Sequence, residues 1–312
     1  MRVIAMDMDG TLLNSKKRIS PRTRKALLQA EREGVILILA SGRPTSGLME
    51  FARELEMEKH HGLLVSYNGS QVVDCETGKV LFNQALSVEE GKAVLEHMKR
   101  FDRVRPMIDR GKYMYVNNVY DQYITVKGKA FNVMEYESRG GNFNLCEERD
   151  LAAFVDFPLN KILTTADPEY LQAHYKEMME PFKDTLSCMF TGPFYFEFTA
   201  KGIDKAKALG TVLEPMGYKR EEMVAFGDGH NDASMLDYTG YGVAMANAVE
   251  DLKAMADEVT ASLDEDGIAV TVERMLTDFY GIVQADMVQC PRGKNTVRHK
   301  RMERSAEEDI IS

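Results

Sequence analysis

The chain contains no tryptophan, and its four cysteines (Cys75, Cys146, Cys188 and Cys290) lie far apart with no Cys-x-x-Cys pair. That scatter argues against a disulfide framework or a zinc site and for reduced thiols in a cytoplasmic protein. No uninterrupted apolar stretch approaches the roughly 18 residues that span a bilayer. The start lacks the basic region and long apolar segment of a signal peptide. Positive charge is also scarce. Lys and Arg number 39 against 49 Asp and Glu, giving a net charge of −10 and a pI near 5.3. Non-specific nucleic-acid or anionic-membrane binding is therefore not expected. A phosphorylated substrate is not excluded, because a metal and a few local cations can reverse the field inside a site.

What is present is an ordinary globular composition, hydrophobic 44% and charged 28%, over 312 residues. That length allows a sizeable core and two domains. The 20 methionines read as adaptable core filling. Residues 1–82 alternate strand and helix. Val3–Met6, Val35–Ala40 and Leu63–Ser66 are short apolar runs of the kind found in buried parallel strands. Ser20-Pro21 opens a helix and Gly34 stops it; Thr45–Leu55 reads as a second helix. Gln71–Asp74 and Lys79–Phe82 form a hairpin. Residues 83–194 change style, with alternating strands, an irregular aromatic-rich stretch at Tyr120–Tyr136, and helices, as in an inserted α+β module. The first style returns over 195–283, beginning with a strand at Tyr195–Thr199. Residues 284–312 are polar and read as a largely disordered tail. The predicted fold is α/β, a Rossmann-like doubly wound parallel sheet with an inserted α+β domain.

Candidate chemistry sits where the apolar runs end, since ligands of such sheets bind outside the carboxyl ends of the strands. The first run ends in Asp7-Met8-Asp9-Gly10-Thr11. Successive strand side chains face opposite ways, so both acids serve one site only if the strand stops at Asp7 and the chain turns at Gly10. A carboxylate can accept a phosphoryl group, and a second can protonate the leaving alcohol and then activate water. The second run ends in Ser41-Gly42-Arg43, a hydroxyl and backbone N–H groups suited to phosphate oxygens, although Ser-Gly alone is usually only a turn. Lys205 opens a helix and can neutralise phosphate charge; Lys201 competes for that role. Met223–Phe226 runs into Gly227-Asp228-Gly229-His230-Asn231-Asp232. Asp228 there is the natural Mg²⁺ ligand, Asn231 a donor to phosphate or to the groups around the metal ligands, and Asp232 a support. His230 reads as solvent-facing or cap-facing and is not counted as catalytic.

In order and placement these motifs resemble the haloacid dehalogenase-like phosphohydrolases, more narrowly the Cof-type group with a large cap (type IIB, C2) inserted between the second and third motifs. The resemblance covers about residues 1–280. It implies Asp7 as nucleophile, Asp9 as acid and base, and Mg²⁺ held by the Asp7 carboxylate, the Asp9 backbone carbonyl and Asp228. It also implies phosphate binding by Ser41, Gly42, Lys205 and Asn231. The family often has Lys-Gly at the third motif, where this chain has Lys205-Ala206. The implied reaction is hydrolysis of a small phosphorylated metabolite, such as a sugar phosphate or cofactor phosphate, through an aspartyl phosphate. The Asp7 charge should raise the pKa of Asp9, with Mg²⁺ opposing. The inserted module is the expected cap. Arg110, Lys112, Tyr113, Tyr115, Tyr120 and Tyr123 are candidate substrate contacts, and Arg43 and Asn68 are better ones. A monomer or small homo-oligomer is expected. A phosphomutase would need a second phosphate cluster in the cap, which the sequence does not supply. A dehalogenase leaves Asp9 and the metal ligands without a task. A catalytically silent metabolite-binding regulator is opposed by the intact acids and lysine.

Overall fold

The computed structural model describes residues 1–120, 123–126 and 129–280; the predicted tail at 284–312 lies outside them. The first strands are β1 (Val3–Met6), β2 (Ile36–Ala40), β3 (Leu63–Ser66), β4 (Gln71–Asp74) and β5 (Val80–Asn83). The middle of the chain contributes β6 (Arg105–Arg110), β7 (Tyr113–Val116), β8 (Tyr123–Val126), β9 (Lys129–Asn132), β10 (Asn144–Glu147), β11 (Ile162–Thr165), β12 (Leu186–Gly192) and β13 (Tyr195–Ala200). The last strands are β14 (Met223–Gly227), β15 (Tyr241–Ala244) and β16 (Glu258–Val259).

The larger sheet has the order β16-β15-β14-β1-β2-β3-β4-β5. It is parallel from β16 to β3 and ends in the predicted antiparallel hairpin. Every residue of β1, β2 and β3 is buried, which is why these strands read as unbroken apolar runs rather than alternating ones. Leu37, Ile38 and Leu39 are fully enclosed; truncating any one to Ala would cost about 2–5 kcal/mol. The helix Pro21–Arg32 starts as its sequence dictates, with the Ser20 side chain accepting from the Thr23 N–H and Pro21 in the first turn. Chain order reverses at β1, with β2 and β3 on one side and β14 on the other, so the gap beside β1 is the topological switch point where ligands of such sheets bind.

The smaller sheet has the order β10-β7-β6-β11-β13-β12. It carries its own apolar cluster, including Phe196, Phe198 and Leu171. Three expectations need correction. The strand beginning at Tyr195 does not join the parallel sheet; it pairs with β11 and β12 in the smaller one. Its alternate apolar residues are buried on an antiparallel sheet, which from sequence alone resembles a core strand. The stretch Tyr120–Tyr136 is not irregular throughout, because β8 and β9 pair as a hairpin and the helix Val133–Gly140 follows, capped by Asn132. The predicted helix Thr45–Leu55 is a 3₁₀ turn, Thr45–Gly47, followed by a short helix, Met49–Glu54. There the smaller domain presses close: the Ser46 hydroxyl donates to the Gly141 carbonyl at 2.6 Å. Among the described residues no helix is long and apolar enough to cross a membrane.

Candidate active site

The site is built at the carboxyl ends of β1, β2, β3 and β14, facing a cleft of about 1810 Å³ between the two sheets' domains. Asp7 follows β1 directly, and its N–H still donates to the Phe226 carbonyl of β14 at 3.0 Å. The chain then turns, as two acids on one site require. Gly10 makes the turn at φ +96°, and a Cβ there would lie 2.2 Å from Asp228 Oδ2. Both its conformation and the closeness of β14's loop demand glycine.

Asp7 is buried, and its Oδ1 accepts from Lys205 Nζ at 2.7 Å. The same ammonium donates to Asp232 Oδ1 at 2.6 Å. Asp232 Oδ2 in turn accepts from the backbone N–H groups of Asp228 and Gly229 at 3.0 and 2.9 Å. Asp232 thus braces both Lys205 and the loop that carries Asp228. Lys205 reaches this position because its helix is capped by Asp204. Gly69, at φ +98°, lets the loop after β3 come so close that a Cβ would lie 2.3 Å from the Asp204 carbonyl. Lys201, the competing lysine, instead donates to the Asp184 carbonyl.

Burial pushes the Asp7 carboxyl well above its usual range, against the pull of Lys205. Burial also raises Asp228, against the hydrogen bond from Thr11, whose hydroxyl lies 2.7 Å from Asp228 Oδ1. Lys205 stays charged, because Asp7 and Asp232 outweigh the burial that disfavours its ammonium. Oxygen atoms of Asp7, Asp228 and Asp232 lie within 4.8 Å of one another, three acids around one ammonium. Asp232 already accepts three hydrogen bonds, so Asp7 and Asp228 are the freer donors. An all-oxygen set with surplus negative charge fits a hard divalent cation.

Asp9 departs from expectation. Its carboxylate is gripped by Arg43, Nε to Oδ2 at 2.7 Å and Nη2 to Oδ1 at 2.8 Å. Lys17 Nζ adds a bond to Oδ1 at 2.7 Å. Burial works to raise its pKa, but these two cations win and hold it below the usual range. The predicted rise from Asp7 is therefore overturned in this state by a bidentate pair. Ser41 is buried after β2 and its Oγ accepts from the Arg43 N–H. Asn68 adopts a left-handed conformation, φ 56°, and its Oδ1 accepts from Asn231 Nδ2 at 3.1 Å. Gly42, Arg43, Asn68 and Asn231 all line the cleft. His230 lies there too and is exposed.

The predicted contacts from the smaller domain fail. None of Arg110, Lys112, Tyr113, Tyr115, Tyr120 and Tyr123 is among the described cleft-lining residues. Arg110 lies over the Phe157 ring and near Asp156, Tyr115 packs on Phe154, and Tyr120 and Tyr123 are exposed. The period of two decides this. Asp109 opposes Met114 and Arg110 opposes Tyr113 across β6 and β7, and it is the first pair that faces the cleft. Sequence reasoning therefore missed Asp109, together with Glu137, Lys161, Tyr195 and Glu197. Only Glu197 carried a readable signal, a single charge inside an apolar strand. Lys17 and Thr11 were also missed, and Thr11 lies inside the first motif.

The chain is similar to known proteins in family, sequence and fold. A family model described as haloacid dehalogenase-like hydrolase matches residues 4–272. A 5-amino-6-(5-phospho-D-ribitylamino)uracil phosphatase from Bacillus subtilis is 30% identical over 274 residues, 87% of this chain and 94% of that protein. The crystal structure of a haloacid dehalogenase-like hydrolase from Bacteroides thetaiotaomicron superposes with a TM-score of 0.81 at 34% identity, covering 88% of this chain and 99% of that one. A solved structure described as a HAD subclass IIB sugar phosphatase gives a TM-score of 0.69 at 27% identity, covering 88% and 99%.

Proposed function

The chain belongs to the haloacid dehalogenase-like hydrolase family, and on that premise we propose that it is a Mg²⁺-dependent phosphatase of small phosphorylated metabolites, working through an aspartyl phosphate. The observation that carries the reading is Asp7, a buried carboxylate at the switch point of the sheet, fixed by Lys205 through Oδ1. Its Oδ2 carries no hydrogen bond among the described residues. The Asp7 carboxylate attacks phosphorus in line, and its burial removes competing water. Mg²⁺, held by Asp7, Asp228 and the Asp9 carbonyl, would offset charge on the phosphate oxygens. Lys205, Ser41, the Gly42 loop and Asn231 hold the other oxygens, so most of the catalysis is positioning and charge stabilisation.

Asp9 protonates the leaving oxygen and then takes a proton from the water that splits the acyl phosphate. In the state described it is clamped by Arg43 and Lys17, so a bound phosphate must draw those cations away before Asp9 can serve as an acid. Relatives named as a ribitylaminouracil phosphate phosphatase and a sugar phosphatase support sugar or cofactor phosphates as the substrate class. The test is phosphate release from a panel of phosphate monoesters, with and without Mg²⁺, in wild type and Asp7→Asn. Release that needs the metal and is abolished in the variant is expected. Release that survives Asp7→Asn at more than about a thousandth of the wild-type rate would refute the nucleophile.

A further inference from the structure

The smaller domain lines the cleft with charged groups that phosphoryl transfer itself does not need. Glu197 is the one charge in the apolar strand β13 and is 5% exposed. Its Oε1 accepts from Lys161 Nζ at 3.0 Å, and the same ammonium lies 3.4 Å from the Gly42 carbonyl, next to the phosphate loop. Asp109 Oδ2 accepts from the Tyr67 hydroxyl at 2.5 Å, and Glu137 Oε1 from the Tyr195 hydroxyl at 2.5 Å. The two tyrosines orient those carboxylates. In each of the three carboxylates one oxygen is bonded and the other carries no hydrogen bond among the described residues. All four charged residues line the cleft.

Burial raises Asp109 and Glu137, while Lys161 remains an ammonium because Glu197, Glu137 and Asp109 together outweigh its burial. Among the described residues the other cations at the cleft are committed elsewhere: Arg43 and Lys17 to Asp9 and then to the transferred phosphate, Lys205 to Asp7 and Asp232, and Arg139, at the rim, to Glu135. A leaving group that enters this space meets three acceptor oxygens and one donor. Hydroxyl groups satisfy both kinds of partner. A second phosphate offers only more acceptors and a like charge, which is a repulsive element against the wrong ligand. Resting on the phosphatase reading above, we propose that Asp109, Glu137, Lys161 and Glu197 form the leaving-group subsite. It takes an uncharged, hydroxyl-rich group and rejects one that carries a second phosphate.

The experiment measures kcat/KM of the full chain with Mg²⁺ for glucose 6-phosphate, ribitol 5-phosphate, glucose 1,6-bisphosphate and p-nitrophenyl phosphate. Wild type, Asp109→Asn and Glu197→Gln are compared. Wild type is expected to favour at least one of the two monophosphates over the bisphosphate by about 10-fold or more. Each variant should lose about 10–100-fold on that monophosphate and narrow its margin over the bisphosphate, while p-nitrophenyl phosphate stays within about 3-fold. That ester has no hydroxyls to read, so it reports an intact core even where Glu197→Gln disturbs Lys161. Equal turnover of monophosphate and bisphosphate by wild type would overturn the subsite. So would variants that lower all esters alike, or hydrolysis of p-nitrophenyl phosphate alone. Silence of wild type toward every ester, p-nitrophenyl phosphate included, would overturn the phosphatase reading itself and the subsite with it.

Discussion

Glu31 is 2% exposed on the helix Pro21–Arg32, and among the described residues neither of its carboxylate oxygens has a hydrogen-bond partner. Burial first, then the neighbouring Glu56 and Glu58, push its pKa to about 8, with Arg32 opposing weakly. An acid raised in this way is neutral in the fold at pH 7 and ionised in the unfolded chain. Below about pH 4.5 both states hold the proton and nothing is lost. Between about pH 4.5 and 8 the unfolded state alone releases it, and stability falls by about 1.4 kcal/mol per pH unit. Across the window the loss is roughly 3–5 kcal/mol. Glu31→Gln removes the ionisation and keeps the shape and the buried polar group. The variant should match wild type within about 1 kcal/mol near pH 5, since neutral carboxyl and amide cost similar amounts to bury. By pH 8 it should be the more stable, melting on the order of 10 °C higher at about 2–4 °C per kcal/mol. Thermal unfolding of both proteins from pH 5 to 8 measures this directly. Parallel curves across that range would show that Glu31 is hydrated or paired in the folded protein and would refute the reasoning.

Lys205→Met leaves Asp7 and Asp232 buried together without their shared ammonium, which should cost about 3–5 kcal/mol; an unchanged urea midpoint without divalent cation would contradict the pairing. Gly10→Ala forces a side chain into a left-handed turn and onto the Asp228 carboxylate. Phosphate release should fall by at least about 100-fold as the acids shift by an ångström, and retained activity would mean that the loop has room to move. Thr11→Val removes the donor to Asp228 Oδ1 at nearly constant volume. The Mg²⁺ concentration for half-maximal activity should rise about 10–100-fold with little change in melting temperature, and an unchanged metal requirement would remove Thr11 from the site.

The candidate site of this protein was legible in the chain because each piece is local. Apolar runs that end in Asp7-Met8-Asp9-Gly10, in Ser41-Gly42 and in Gly227-Asp228 mark buried parallel strands and the loops at their tips, and such strands can line up only side by side. Spacing alone left Lys201 as a competitor, since both precede or open the same helix, and the family resemblance favoured Lys205; the Asp204 cap and the close approach at Gly69 set Lys205 beside Asp7. The state of Asp9 was not legible either, because Arg43 and Lys17 reach it from 34 and 8 residues away, and the charge that prevails depends on their geometry. Most was hidden in the smaller domain. There the face a residue presents depends on strand register, and a shift of one position exchanges Asp109 for Arg110. Sequence alone determined the strands that carry the candidate site. Only the tertiary structure decided which charges from distant segments surround it, because burial and pairing are set by contacts between residues far apart in the chain.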